Sequence, residues 1–289
     1  MTGDAMEDPV AVTAIIPLKH CHEPYLRAAL RSLAAQTSPD WRGLIVVEPA
    51  DRARFAALLA PELGDRRLAL IVNRGRRLAG AINTGMHTAT SPFVALLLGD
   101  DLWAPEAVAV LTAAIRAHPD TDFLHSSRRV IDEQDRPLSS VHRSRAEFVL
   151  TDFVGGSPVK HLLCWRRAKG LAVGGLDESL NSVGPDDYDF PWTMAEHGAR
   201  FTAIEECLYI YRDHRDGFRL TTHLTRTHHL RELDRILAKH GVDRAERARR
   251  LAAARRGFLR QCLYRSRADR WWQRLRGSNA RNGWRETYR

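Results

Sequence analysis

Four short apolar runs, Val12 to Ile16, Leu44 to Val47, Leu68 to Val72 and Phe93 to Leu98, alternate with stretches whose apolar residues recur at helical spacing. Runs this short and this uniformly apolar suit strands buried on both faces, and parallel strands need a helix between them to connect. The first run is expected to stop at Pro17. Pro24 then opens a helix with the stripe Leu26, Ala29, Leu30, Leu33 and Ala34, which Ser38-Pro39 ends. Arg52 to Leu59, Leu78 to Ala89 and a segment begun by Pro105 and running through Val108, Leu111 and Ile115 read as the later helices. The alternation predicts an α/β domain whose ligands gather at the carboxyl ends of the strands, and Gly99-Asp100-Asp101 lies at such an end.

Beyond Asp122 to His125 the pattern loosens into shorter, mixed strands, with a turn at Asp135-Arg136-Pro137 and a bend at Val154-Gly155-Gly156-Ser157-Pro158. From about His223 the chain reads as helical and basic. At 289 residues and 44% hydrophobic, it supports one large core plus an appendage. The acidic opening Met1 to Asp8 has no basic or apolar region of the secretory kind, and no apolar run approaches the ~20 residues needed to cross a bilayer. Cys21, Cys164, Cys207 and Cys262 lack paired spacing, so reduced thiols in a cytoplasmic setting are expected. Arginines crowd Arg244 to Arg289 and supply much of the net charge of +9. Interleaved with Phe258, Tyr264, Trp271 and Trp272, they suit plain packing first, an anionic membrane face second and nucleic acid last.

Three segments carry residues suited to chemistry. Asp100 and Asp101 offer the hard oxygen ligands that a divalent cation on a diphosphate uses, although the pair would equally serve to cap the helix after Pro105. Asp186, Asp187 and Asp189 precede an amphipathic helix through Trp192, Met194 and Ala195. A carboxylate there can take the proton of an acceptor hydroxyl, or can simply offset a helix macrodipole. Arg212, His214 and Arg219 follow the apolar strand Cys207 to Ile210 and would steady negative charge on a departing diphosphate.

The order of these segments resembles the family-2 glycosyltransferases of GT-A fold, from about Val12 to Thr222. Val12-Thr13-Ala14-Ile15-Ile16-Pro17 with Ser32-Leu33-Ala34-Ala35-Gln36-Thr37 is similar to the family's first strand and its Leu-x-Ser-Leu-x-x-Gln-Thr helix. Asn73-Arg74-Gly75 and Ala79-Gly80-Ala81-Ile82-Asn83-Thr84-Gly85 are similar to its Asn-x-Gly and Ala-Arg-Asn-x-Gly. Leu98-Gly99-Asp100-Asp101-Leu102-Trp103-Ala104-Pro105 resembles the metal-binding Asp-Ser-Asp-Asp-x-Trp-x-Pro, Gly174-Gly175-Leu176-Asp177 the Gly-Gly-Phe-Asp, and Asp186-Asp187-Tyr188-Asp189 the Glu-Asp-x-Asp.

The resemblance implies a Rossmann-like, mixed sheet with flanking helices over residues 10–222, its nucleotide half about 10–105 and its acceptor half about 106–222, followed by a basic helical extension over 223–289. It implies an inverting transferase that moves a sugar from a nucleotide diphosphate, UDP favoured and dTDP or GDP open, onto an acceptor hydroxyl or amine. Asp187, beside Asp186, takes the role of general base. Mn²⁺ or Mg²⁺ is held by Asp100, with His214 assisting. Pro17, Leu18, Lys19, Glu48, Asn73, Gly75, Gly80, Asn83, Gly99, Asp100 and Asp101 surround the nucleotide sugar, and Arg212, His214 and Arg219 face the diphosphate.

The departures are Leu98 at the first aspartate of the D-x-D motif, Glu48-Pro49-Ala50 for Asp-Asp-Gly-Ser, and Leu18-Lys19-His20 for Thr-Tyr-Asn. They motivate an alternative in which the domain binds a nucleotide sugar without turning it over. The acceptor, whether lipid carrier, glycan or small molecule, has no motif. Contact with the inner membrane face through the basic tail is a further expectation, and nucleic acid the least favoured partner.

Overall fold

A computed structural model describes residues 11–19, 21–180, 184–213 and 226–265. Its first half builds the expected alternation: β1 (Val12–Leu18), α1 (Glu23–Ala34), β2 (Trp41–Val47), α2 (Arg52–Leu58), β3 (Leu68–Val72), α3 (Arg77–Thr88) and β4 (Phe93–Leu96). A short β5 (Leu102–Trp103) and α4 (Ala107–Ala117) follow. The second half holds β6 (Phe123–Ile131), α5 (Asp152–Gly155), β7 (Leu163–Arg166), α6 (Arg167–Ala172), a π turn at Pro185–Asp189, α7 (Phe190–Glu196), β8 (Phe201–Arg212), α8 (Arg226–Lys239) and α9 (Arg244–Arg265). Eight strands form one sheet in the order β3-β2-β1-β4-β7-β6-β8-β5. The first four are parallel, β7 runs antiparallel to β4 and β6, and β8 lies parallel to β6 and antiparallel to β5.

β1 continues through Pro17, past the expected stop. Ile15 accepts from the Leu97 N–H on the β4 side. Two residues on, Pro17 faces the same side, where β4 has already ended at Leu96. The missing proline N–H therefore costs no ladder bond.

The sheet is covered on both faces. Val12, Ala14, Ile16 and Leu18 pack with the stripe Leu26, Ala29, Leu30 and Leu33 of α1 and with Val108 and Leu111 of α4, while Ile15 packs on the other face with Ile82 and Met86 of α3. This period-two split of β1 is what two-sided burial demands. A third cluster joins Phe153, Trp192, Leu180, Ile236 and Leu237, so α8 packs on α5 and α7. The expected boundary at residue 222 lies outside the described residues. Among those residues no helix is long and apolar enough to cross a membrane.

Candidate functional site

The carboxyl ends of the parallel strands come level with one another. Leu18 pairs with Val47, and Val47 with Val72, so Pro17, Leu18, Lys19, Glu48 and Asn73 share one edge of the sheet, with Gly99 and Asp100 just beyond β4. Asn73 is buried and organises this edge: its Nδ2 donates to Glu48 Oε1 (3.0 Å) and to the Arg77 carbonyl (3.2 Å), and its Oδ1 accepts from the Gly75 N–H (2.8 Å) and Thr84 Oγ1 (3.2 Å). Glu48 is thus held half-buried at the edge, and Lys19 is exposed. Gly99 packs closely on Leu18, since a β-carbon there would stand 2.5 Å from Leu18 Cδ2 and would displace that side chain.

The loop from Leu98 to Asp101 is fastened from beneath. Trp103 N–H donates to Ser32 Oγ (3.1 Å), and Gln36 donates to the Ala104 carbonyl (2.8 Å) while accepting from the Val108 N–H (2.8 Å) at the start of α4. The helix cap is therefore Gln36, and the two aspartates are not used for it. They divide instead. Asp101 is buried and accepts from Tyr209 OH (2.8 Å) and the Arg212 N–H (2.7 Å). Asp100 stays half-buried at the strand ends. Leu98 packs against the second core cluster, and its N–H donates to Tyr209 OH (3.3 Å).

Arg212 has a different setting from the one expected at a diphosphate. It is 2% exposed, its guanidinium donates to the carbonyls of Asp100 (2.9 Å) and Asp132 (3.2 Å) and to Asp135 Oδ1 (2.5 Å), and it lies over the Tyr25 ring. Its geometry is that of a tie holding the Asp100 loop to β6 and β8.

Gly75, Gly80 and Asn83 face each other and Glu178. A β-carbon on Gly80 would fall 2.5 Å from the Gly75 carbonyl carbon, so this close approach is backbone to backbone. Asn83 donates to the Leu176 carbonyl (2.9 Å) and Glu178 Oε1 (3.2 Å) and accepts from the Leu176 N–H (2.8 Å). Glu178 Oε2 also accepts from the Arg76 N–H (2.8 Å). These residues join the nucleotide half to the segment that leads into the acidic turn.

That turn is a π turn, entered through Gly184 at φ +52°, with Asp189 N–H bonded five residues back to the Gly184 carbonyl (2.8 Å). Such insertions recur at functional sites because they re-aim side chains. Burial raises the Asp187 carboxyl above its ordinary range, with neighbouring Asp186 adding to the rise, while His161, Arg128 and Lys160 pull it back down. The Lys160 ammonium is itself lowered, by burial first and then by Arg128. His161 Nε2 stands 3.4 Å from Asp186 Oδ2, and the His161 ring lies 5.1 Å from that of Tyr209. His161 and Tyr209 thus lie in ring contact between the Asp186–Asp187 turn and Asp101 with the Leu98 backbone.

Sequence reasoning missed Arg128, His125, Lys160, His161 and Tyr209. The first four lie in a stretch without periodic pattern, where the only signal was basic residues beside buried strands. His125 and His161 are nearly fully buried, and neither ring has a hydrogen-bond partner among the described residues. His125 is lowered to about 4 by burial, then by Lys160, and is neutral near pH 7. Buried rings without partners are costly unless something completes them. His20, His214 and Arg219, together with Trp271 and Trp272, lie outside the described residues. Among the described residues, no three His, Cys, Asp or Glu side chains group to hold a metal ion by themselves.

A half of alternating parallel strands and helices, a mixed half that extends the same sheet, and acidic groups carried by both define a GT-A-like α/β domain. The chain belongs to glycosyl transferase family 2, whose model matches residues 13–165, more than half of it. It is 28% identical over 212 residues to the O-antigen biosynthesis protein RfbC of Myxococcus xanthus, covering 70% of this chain and 16% of that protein. It is 33% identical over 98 residues to the Escherichia coli UDP-Glc:alpha-D-GlcNAc-diphosphoundecaprenol beta-1,3-glucosyltransferase WfgD, covering 33% of this chain and 37% of that one. S. aureus TarS 1-349 in complex with UDP-GlcNAc superposes with a TM-score of 0.61 at 17% identity, over 96% of this chain and 79% of that one; against a longer TarS chain the coverage is 44% of that chain. At that identity the likeness to TarS speaks for the fold.

Proposed function

We propose that the chain transfers a sugar from a UDP-sugar to an acceptor hydroxyl or amine with inversion, Asp187 acting as general base. The observation that carries this is the run of contacts Asp186–His161–Tyr209–Asp101, in which two side chains lie between the acidic turn of the acceptor half and the loop that bears Asp100. Family membership supports the reaction class, and the UDP in the names of WfgD and of the TarS complex supports the donor. Asp187 takes the acceptor proton as the acceptor atom attacks the anomeric carbon in line, and the bond from that carbon to the diphosphate breaks, releasing UDP. His161 and His125, whose rings have no hydrogen-bond partner among the described residues, are suited to meet hydroxyls of the sugar or acceptor.

A divalent cation fits the chemistry of Asp100, whose carboxylate would hold it with the hard oxygen donor that Mg²⁺ and Mn²⁺ take. When bound, it would offset charge on the departing diphosphate. Asp100→Ala is expected to weaken UDP binding in the presence of Mn²⁺ about tenfold or more, and to leave metal-free binding unchanged. Thermal shift over a nucleotide-sugar panel, with and without Mn²⁺, checks this, because a ligand of the folded state raises the midpoint by mass action. No shift with any UDP-sugar would remove the donor assignment.

The raised Asp187 carboxyl sets a pH dependence. A base works only when deprotonated, so kcat/KM rises with pH through a limb displaced above the ordinary carboxylate range. Lys160 lowers that limb by favouring the charged carboxylate. Lys160→Met removes a positive neighbour, and the limb moves further up. A pH–rate profile of both proteins reads the shift, and an unmoved limb would separate Lys160 from the base. We include in the proposal a cytoplasmic setting and contact of the C-terminal arginines with an anionic membrane face; exposed Arg244, Arg249, Arg255 and Arg256 on α9 support the latter.

A further inference from the structure

The π turn that carries Asp186 and Asp187 ends at Asp189, whose side chain is 1% exposed. Both of its oxygens are held by residues at the end of α8: Lys239 Nζ donates to Oδ2 (2.8 Å), and His240 Nε2 meets Oδ1 (3.0 Å). The other ring nitrogen of His240 meets Glu196 Oε2 (2.9 Å) at the far end of α7. The imidazole lies flat on Trp192, 4.1 Å between centroids and 4° between planes, and its side chain is 1% exposed. Lys239 also pairs with Asp177 (3.2 Å), next to the Leu176 and Glu178 contacts that hold α3. One helix end thus clamps the close of the π turn, both ends of α7, and the segment that reaches the nucleotide half.

A π turn carries an extra residue against poorer hydrogen-bond geometry than an α-helix, so its shape depends on what holds it from outside. Apolar packing of Ile236 and Leu237 explains why α8 docks. It does not explain a lysine and a histidine converging on one buried carboxylate two residues from Asp187. We propose that Lys239 and His240 are positioning residues that set the aim of the Asp186–Asp187 turn, which makes α8 a working part of the transferase domain. The inference rests on Asp187 acting as the base.

The test uses the full chain with His240→Leu, His240→Gln and Lys239→Met. Amide hydrogen exchange over residues 184–190 is expected to quicken roughly tenfold or more in His240→Leu, with β1 and β2 unchanged. With UDP-GlcNAc as donor probe, kcat falls about 10- to 100-fold at constant donor KM, as a displaced reacting group predicts. His240→Gln keeps a donor toward Asp189 and recovers most of both. If His240→Leu does not fold, the other two variants carry the comparison. Unchanged exchange at 184–190, protection lost evenly over the whole chain, or a raised KM at constant kcat would overturn the clamp. If the parent chain turns over no UDP-GlcNAc, that donor assignment fails while exchange still decides the clamp.

Discussion

Asp187→Asn protein is expected to bind UDP-GlcNAc as tightly as the parent chain and to turn it over about 10² to 10⁴-fold more slowly. Asparagine keeps the shape of the side chain and can still accept a hydrogen bond, but it has no basicity with which to take the acceptor proton. The surroundings sharpen the effect. Asp187 is raised by burial and by Asp186, so its carboxylate holds a proton more strongly than a solvated one would. Of its titratable neighbours, Lys160 and Arg128 are cations, and the adjacent Asp186 carboxylate faces His161 at 3.4 Å. Calorimetric titration with UDP and a turnover assay with UDP-GlcNAc separate binding from chemistry. Turnover retained in Asp187→Asn would move the base elsewhere, and binding without turnover in either protein would leave a nucleotide-sugar-binding domain.

Arg212→Ala should cost on the order of 3 kcal/mol of stability and lower the thermal midpoint accordingly. Its guanidinium is buried and serves two main-chain carbonyls, those of Asp100 and Asp132; each acceptor left unsatisfied costs about 1–3 kcal/mol. The Tyr25 ring would lose its cationic face as well. Arg212→Lys recovers little, because an ammonium cannot reach three acceptors in a planar fork. Chemical denaturation followed by fluorescence measures the change. The same experiment separates two tasks for this arginine. A cation that served the diphosphate from solvent would cost little stability and much donor affinity, whereas a tie beneath the Asp100 loop costs stability first. A midpoint within a degree of the parent's would sink the second reading.

The two variants also show where sequence and structure part. Asp100 and Asp101 are adjacent, chemically identical and equally motif-like, yet one is half-buried at the strand ends and the other is a buried acceptor for Tyr209 and the Arg212 backbone. That division depends on β8 arriving beside β5, a contact between residues more than a hundred apart in the chain. Ser32 and Gln36 were legible as part of a motif, and their work, fastening the Asp100 loop and capping α4, was not. Gly75 and Gly80 were legible as parts of two motifs, and their close approach to each other was not.

What the sequence by itself determined was the parallel half, because strands buried on both faces and helices with one apolar stripe are local patterns that short-range physics reads without knowing the neighbours. It determined as well which carboxylates stand at strand and helix ends. Only the tertiary structure decided their company. Lys160, His161 and Arg128 reach the acidic turn, and Tyr209 reaches His161, through an antiparallel strand and a long parallel pairing, while Lys239 and His240 arrive on a helix docked from far along the chain. The electrostatics of a buried carboxylate is set by whatever lies within a few ångströms, and no local pattern records that.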